Sequence, residues 1–454
     1  MPSKVDASLP GRVVCFGSGR VAYPLVELLT RNPTTHMTLV SDDAFQLATF
    51  ADRIGQLHRT NLTTEVMSAV DTTASLALIT DFLKRNYFAC VVALVPEDAQ
   101  YTLARACIAT STPLVTASYV SPRLRHLHQA AVDANIPLLC ECGLDPGLDH
   151  MGAVSMIASI QASGRGVISK FTSVCGGLPA PESADNPLGY KFSWSPLGAL
   201  KALQRPAQFK ELGRVVSIAG PDMLSHATPV RTVPALALEQ LPNGNALPYA
   251  DLYGIPDVPT IFRGTYRYRG FSAIMQDCVA LGLLSTASLP PNVDIKQWSH
   301  LLEIVLHDNN PTDKQLGQHT TAFFAWIGDQ VPTQDATTYL QAFANVLEQR
   351  LSMDAEDRDM VVLTHAVEVD IGDGAVEVHS ASLMGYGDRE GTFMARSVGV
   401  TAGVVTQLVV NGKVLQKGIL APTTPDIYEP ALEALAKEGI TFVEKVTCRK
   451  VAKL

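Results

Sequence analysis

The stretch "RVVCFGSGRVAYPLVELLTR", residues 12–31, constrains the fold more than any other in the chain. Residues 12–16 are a short apolar, β-prone run, as a strand buried on both faces would be. Gly17-Ser18-Gly19 follows, and then Val21, Leu25, Leu28 and Leu29 recur at the spacing of one helix face. Pro24 is tolerated in the first turn of such a helix. Strand, glycine turn and helix therefore stand in the order that a dinucleotide cradle requires. Gly17 permits the tight turn, Gly19 admits a pyrophosphate to the backbone, and Ala22 lets helix and strand pack closely. The free N–H groups at the helix start would then receive the phosphates. Ser18, Arg20 and Val21 complete the turn.

"HMTLVSDD" reads as a second strand, ending about 20 residues beyond Ala22 at Asp42. A carboxylate there suits an adenine-ribose hydroxyl and would repel a 2′-phosphate, so the sequence favours NAD over NADP. "FACVVALVP", "TPLVTASY" and "IPLLCECGLDPGLDH" supply further strands and strand-end loops. In a doubly wound sheet, ligands sit beyond the carboxyl ends of the strands. Thr116 to Tyr119 and Leu144 to His150 occupy such ends.

A chain of 454 residues exceeds one core and implies two or three domains. The net charge of −9 argues against a nucleic-acid surface. No apolar run is expected to approach the ~18 residues that span a bilayer. Eight cysteines without a CxxC pair read as reduced, mostly buried thiols in an intracellular, soluble protein. No cleaved presequence is read at the N-terminus. The ending Ala452-Lys453-Leu454 is a variant of the microbody address, so a peroxisome-like organelle stands beside the cytoplasm as the expected location.

From about residue 165 the strand–helix alternation loosens. "FTSVCGGLPAPESADNPLGYKFSWSPLGAL" is rich in Gly, Pro and aromatic residues and reads as ordered loop around a site, not core. "IFRGTYRYRGF" looks like a strand that puts Arg263, Arg267 and Arg269 on one face. Residues 271–350 are helical in pattern, two strands return before residue 388, and "SVGVTAGVVTQLVVNG" is an apolar helix expected to rejoin the nucleotide domain.

At "GLDPGLDH", "CGGLPAPESADNPLGYKFSWSPLG" and "FRGTYRYRGF" the chain resembles the L-glutamate-forming saccharopine dehydrogenase (saccharopine reductase) family. "SDD" and the tail helix look most like the dehydrogenase half of animal aminoadipic semialdehyde synthase. The resemblance implies an α/β chain: a Rossmann domain of residues 1–145 with 395–454, an α/β substrate domain of 146–270 with 351–394, and a small helical domain of 271–350. It implies oxidation of saccharopine by NAD, with NADP the alternative, to an imine that water splits into glutamate and 2-aminoadipate 6-semialdehyde. The partner implied is this small molecule, with neither nucleic acid nor membrane, and a homodimer is the assembly left open.

Carried over by position, Gly17, Ser18, Gly19, Arg20 and Val21 match the pyrophosphate turn. Ser41 and Asp42 match the adenosine ribose site, with Asp71 near the adenine. Thr116 and Ala117 match positions beside the nicotinamide ribose, Leu144 and Pro146 flank the ring, and Trp194 is a cofactor-side aromatic. Ser118, Tyr119, Asp145, Arg263, Gly264 and Thr265 match substrate-contacting positions. Asn243-Gly244-Asn245 departs from the family's Asn-Arg-Asp, so a cation for one substrate carboxylate is missing.

Loss of the amine proton and activation of water call for a positioned acid/base. Asp145 is the first candidate, since a carboxylate also attracts an ammonium group; Cys175 is the second. His126, His128 and His150 have no ligand partners at metal spacing, and no metal is expected. Two alternatives stay open: a carboxyspermidine-type dehydrogenase on the same fold, and a dinucleotide-sensing protein without turnover.

Overall fold

The computed structural model describes residues 11–193, 195–290, 295, 297–308, 316–329 and 336–450; Trp194 and Ala452 to Leu454 lie outside them. The chain divides into two compact units, one of residues up to 159 with 394–442, the other of 160–393 with the residues from 443 onward.

The first unit is built on a seven-stranded parallel sheet. Its strands are β1 (Arg12–Phe16), β2 (His36–Ser41), β3 (Leu62–Val66), β4 (Cys90–Ala93), β5 (Leu114–Thr116), β6 (Pro137–Leu139) and the strand Gly418–Leu420. Their order is β3-β2-β1-β4-β5-β6 and then Gly418–Leu420. The order reverses between β1 and β4, which makes a switch point at the carboxyl end of β1. Both faces are covered. Val13 and Cys15 pack with Leu25, Leu29 and Ile54 on one side, while Val14 and Phe16 pack with Ile79, Phe82 and Leu103 on the other. That is the period-two consequence of an uninterrupted apolar strand.

Helix α1 (Ala22–Thr30) follows the glycine turn. The helix Phe393–Val410 packs against it through two glycines. A Cβ on Gly399 would lie 2.3 Å from Val21 O, and one on Gly403 would lie 2.9 Å from Leu28 Cδ2. By length and composition this 18-residue helix could cross a membrane, which corrects the expectation that no apolar run nears that span. In this fold 67% of it is buried inside the protein.

The second unit holds β7 (Val167–Pro179), β8 (Ala207–Glu211), β9 (Arg214–Ile218), β10 (Thr228–Pro229), β11 (Leu238–Pro242), β12 (Thr260–Tyr268), β13 (Asp359–Asp370) and β14 (Ala375–Tyr386). These form a mixed sheet ordered β10-β11-β12-β7-β13-β14, closed at the far edge by Val443–Lys450. Only β7 and β12 run parallel along that path. The first part of the Gly/Pro-rich segment is therefore not loop, as expected, but the central strand β7. Its glycines are there for close packing: a Cβ on Gly176 would lie 2.6 Å from Tyr266 Cβ.

The division of the chain differs from the expected one in three places. Residues 395–454 rejoin the first unit only as far as Phe442, because Val443–Lys450 pairs antiparallel with β14. Residues 271–350 do not stand alone. Trp298, Phe323 and Phe343 share one apolar cluster with Tyr190, Phe192 and Leu241. The boundary after the nucleotide domain also falls later, inside the helix Leu148–Ser163.

Candidate functional site: a glycine turn, a locked loop and a buried strand face

The turn after β1 is fixed by backbone contacts. Gly17 has φ +106°, donates its N–H to Val40 O at 2.8 Å, and has room for no side chain, since a Cβ would lie 2.3 Å from Leu94 O. Gly19 differs: it is exposed, and a Cβ there would meet nothing within 4 Å. The space over Gly19 is thus open to a ligand. Val21 precedes α1 without a side-chain cap, and the first helical turn carries no acidic residue. The turn has no capping side chain and carries no carboxylate of its own, so the residues fit a pyrophosphate.

Ser18 Oγ lies 2.8 Å from Ser41 Oγ and 3.0 Å from Gln46 Oε1, joining the turn to the end of β2. Asp43 caps the next helix by accepting from Gln46 N at 2.9 Å, while Asp42 and Arg20 are exposed. Asp71 is engaged elsewhere. It accepts from Arg123 at 2.7 Å and from Thr102 Oγ1 at 3.0 Å, and the Arg123 bond holds its carboxyl below the usual range.

Beyond β5 and β6 the chain forms two facing segments. Thr116 is buried, and its Oγ1 accepts from Ser118 N at 3.3 Å; Ala117 packs beside Gly143, and Ser118 Oγ accepts from Gln100 at 2.7 Å. Tyr119 donates its hydroxyl to Asp145 Oδ1 at 2.6 Å. Asp145 is half-buried between the buried Leu144 and Pro146. Its loop is tightly wound: Gly147 has φ +145°, and a Cβ there would lie 2.1 Å from Gly143 O. Gly147 N donates to Asp149 Oδ1 at 2.6 Å, and Leu148 N to Gly143 O at 2.9 Å. Asp145 is thus presented on a backbone with little freedom.

In the second unit the marked residues lie within strands. Cys175 is 7% exposed in β7 and sits opposite Thr265 of β12 and Leu363 of β13. Arg263 is 5% exposed, with its guanidinium 4.0 Å from the ring centre of Tyr249. Gly264 passes close to Leu241 O, and Thr265 Oγ1 accepts from Arg267 at 2.9 Å. Arg267 is buried beside Tyr190 and Phe271, and among the described residues no carboxylate reaches it within ion-pair distance. Arg269 lies past the end of β12 and is exposed, so only Arg263 and Arg267 share the expected face. Gly244 occupies a turn with φ +58°, and its carbonyl accepts from Gln208 N at 2.9 Å.

Sequence reasoning missed Glu141 and Asp149. Both are buried, and both make the hydrogen bonds that hold these segments. The available signal was a glutamate in the apolar run "LLCECG", where a solvated charge has no place.

Residues 13–139 match the family description "Saccharopine dehydrogenase NADP binding domain", and residues 143–440 match "Saccharopine dehydrogenase C-terminal domain". The chain is 34% identical to the mitochondrial alpha-aminoadipic semialdehyde synthase of Bos taurus, across 96% of this chain and 48% of that protein. It thus spans about half the length of the animal relatives it matches. It is 33% identical to the saccharopine dehydrogenase [NADP(+), L-glutamate-forming] of Pyricularia oryzae, across 96% of this chain and 98% of the other. Among solved structures, the apo histidine-tagged saccharopine dehydrogenase (L-Glu forming) of Saccharomyces cerevisiae superposes with a TM-score of 0.85 at 30% identity, covering 96% and 100% of the two chains.

These matches overturn the preference for NAD. The domain that fits residues 13–139 is described as NADP-binding, and the fungal relatives are NADP(+) enzymes. The inference from Asp42 weighed one carboxylate alone. That carboxylate is exposed, and Ser41, Ser18 and Gln46 gather beside it as neutral hydrogen-bonding groups.

Proposed function

We propose that this chain oxidises L-saccharopine with NADP and water to L-glutamate and 2-aminoadipate 6-semialdehyde, because it belongs to the saccharopine dehydrogenase family. The observation that carries the reading is the agreement with the yeast enzyme along almost the whole of both chains.

NADP, when bound, supplies the hydride acceptor. The turn Gly17–Val21 would hold its pyrophosphate, Ser18, Ser41 and Asp42 would serve the adenosine ribose, and Thr116, Ala117, Leu144 and Pro146 would border the nicotinamide end. Trp194 keeps its expected cofactor-side role from sequence alone. Asp145 attracts the secondary ammonium of the substrate and takes its proton as the carbon–nitrogen bond is oxidised. Tyr119 orients that carboxylate by donating to Oδ1. The same carboxylate then assists water onto the imine carbon, and the carbon–nitrogen bond breaks with the proton returned to the glutamate nitrogen. Ser118 offers a hydroxyl to the substrate. Arg263 binds a substrate carboxylate through its fork, a role made heavier by Gly244 in place of an arginine. Gly264 and Thr265 line the same strand. Cys175, in β7 opposite Thr265, is the second candidate to carry a proton.

The test is an absorbance assay at the reduced-nicotinamide band with saccharopine and NADP. Turnover with release of glutamate is expected. Folded protein that leaves saccharopine untouched while oxidising another secondary amine would overturn the substrate.

A further inference from the structure

The motif "CECGLDPGLDH" contains more buried charge than the proposed chemistry uses. Glu141 is 7% exposed, and His150 and Asp149 are fully buried. Glu141 also has φ +60°, a left-handed conformation that L side chains other than Asn and Asp rarely adopt. Strained backbone and buried charge in one place mark a site that packing alone would not produce.

What Glu141 gains from that conformation is a double grip on its neighbour. Its N–H donates to Ser118 O at 3.0 Å, and its Oε1 accepts from Val120 N at 3.0 Å. Tyr119 lies between those two points. Glu141 Oε2 stands 2.9 Å from His150 Nε2, an ion-pair contact rather than an aligned hydrogen bond, and His150 Nδ1 stands 3.7 Å from Asp149 Oδ2. Asp149 Oδ1 in turn takes the N–H of Gly147, two residues beyond Asp145. The contacts run in a closed ring: residues 118–120, Glu141, His150, Asp149, the Asp145 loop, and back through the Tyr119–Asp145 hydrogen bond.

We infer that Glu141 and His150 are positioning residues, a buried clamp that sets the Tyr119 hydroxyl against Asp145. Neither touches the substrate. Glu141 orients the segment that carries the tyrosine, and His150 ties that glutamate to the helix whose first turn fixes the aspartate loop. The inference rests on the reading of Asp145 and Tyr119 given above.

The experiment is a double-mutant cycle between Glu141→Gln and Tyr119→Phe, with kcat, KM for saccharopine and NADP affinity measured separately. Glu141→Gln should lower kcat roughly 10- to 100-fold, the scale of a misplaced catalytic group, with KM and NADP affinity little changed. In the Tyr119→Phe background the same substitution should cost almost nothing more, because the group it positions is gone. Losses that multiply in the double variant would overturn the clamp and leave a merely structural glutamate. If Glu141→Gln does not fold, His150→Gln, which leaves both grips on residues 118–120, is carried through the same cycle with the same two outcomes. A crystal structure of the folded variant separates this inference from the substrate reading. A Tyr119–Asp145 hydrogen bond unchanged from the wild type would overturn the clamp whether or not saccharopine turns over.

Discussion

The two units place their marked residues in opposite ways. In the parallel sheet of the first unit these residues lie at or just beyond the carboxyl end of a strand: Gly17 to Val21, Ser41, Thr116 to Tyr119 and Leu144 to Pro146. In the mixed sheet of the second unit Cys175, Arg263, Gly264 and Thr265 lie inside strands, and the first two are almost wholly buried. The difference follows from cover. A parallel sheet is buried on both faces, so its strands must be apolar and chemistry is displaced to their ends. A mixed sheet can keep polar side chains along a strand if they find partners, as Arg263 does over Tyr249. The proposed reading gives the reacting role to strand-end residues and the holding role to strand-borne ones.

The largest effect should come from the strand-end site. Asp145→Asn keeps the shape of the loop but removes the carboxylate proposed as base and as partner of the substrate ammonium. Turnover should fall by a factor of ~10²–10⁴, with NADP affinity, measured by fluorescence titration, nearly unchanged. Wild-type turnover would end the reactive half of the comparison. The holding half is broken by Arg263→Gln. Loss of a charge-assisted, forked hydrogen bond should raise KM roughly 10- to 100-fold and change kcat less. A fall in kcat with constant KM would show that the strand arginine acts in the chemistry.

Two glycines sharpen the comparison within the first unit. Gly17→Ala drives a methyl group into Leu94 O and requires a left-handed alanine, so about 1–3 kcal/mol of stability should be lost. Gly19→Ala meets open space and should leave the melting temperature alone while weakening NADP. Equal losses of stability at both positions would remove the distinction between a fold glycine and a ligand glycine.

The same contrast decides what could be read from sequence. The turn at Gly17, the strands around it and the loop at Asp145 were legible, because a doubly wound sheet writes its function at Gly-rich breaks between apolar runs. Strand β3, "LTTEV", was not, since an exposed edge strand carries no apolar run. Nor was β7. Its Gly and Pro content signals a loop, yet Gly176 is required by the approach of Tyr266 from the neighbouring strand, which no local pattern announces. The roles of Arg263 and Thr265 came from family resemblance, for the alternation of arginine with aromatic residues would equally have placed Arg269 on that face. Glu141 and His150 needed the tertiary fold, because their partners are contributed by separate segments of the chain.

The smallest expected effect tests whether the two units also differ in how they respond to alkali. Five buried thiols lie in the first unit. Burial pushes Cys15 and Cys140 up to about 12 and raises Cys90, Cys107 and Cys142 as well, from an ordinary value of 9. In the second unit burial raises Cys278, Tyr266 and Tyr268, the tyrosines from an ordinary value of 10, and, against burial, the carboxylates of Asp357 and Asp185 raise Lys191. Above pH 9 the unfolded chain loses thiol protons that the folded chain retains. The unfolded state then binds fewer protons, and stability falls as pH rises. The contribution is complete below pH 9 and is lost progressively toward 12, beginning in the unit that holds more thiols. Limited proteolysis across this window should therefore cut the parallel-sheet unit before the mixed-sheet unit. The double variant Cys15→Ala/Cys140→Ala should flatten the pH dependence of that first cleavage without altering its order at pH 8. Simultaneous cleavage of both units, with a slope indifferent to the two substitutions, would show that the units share one alkaline transition and that the thiols do not set it.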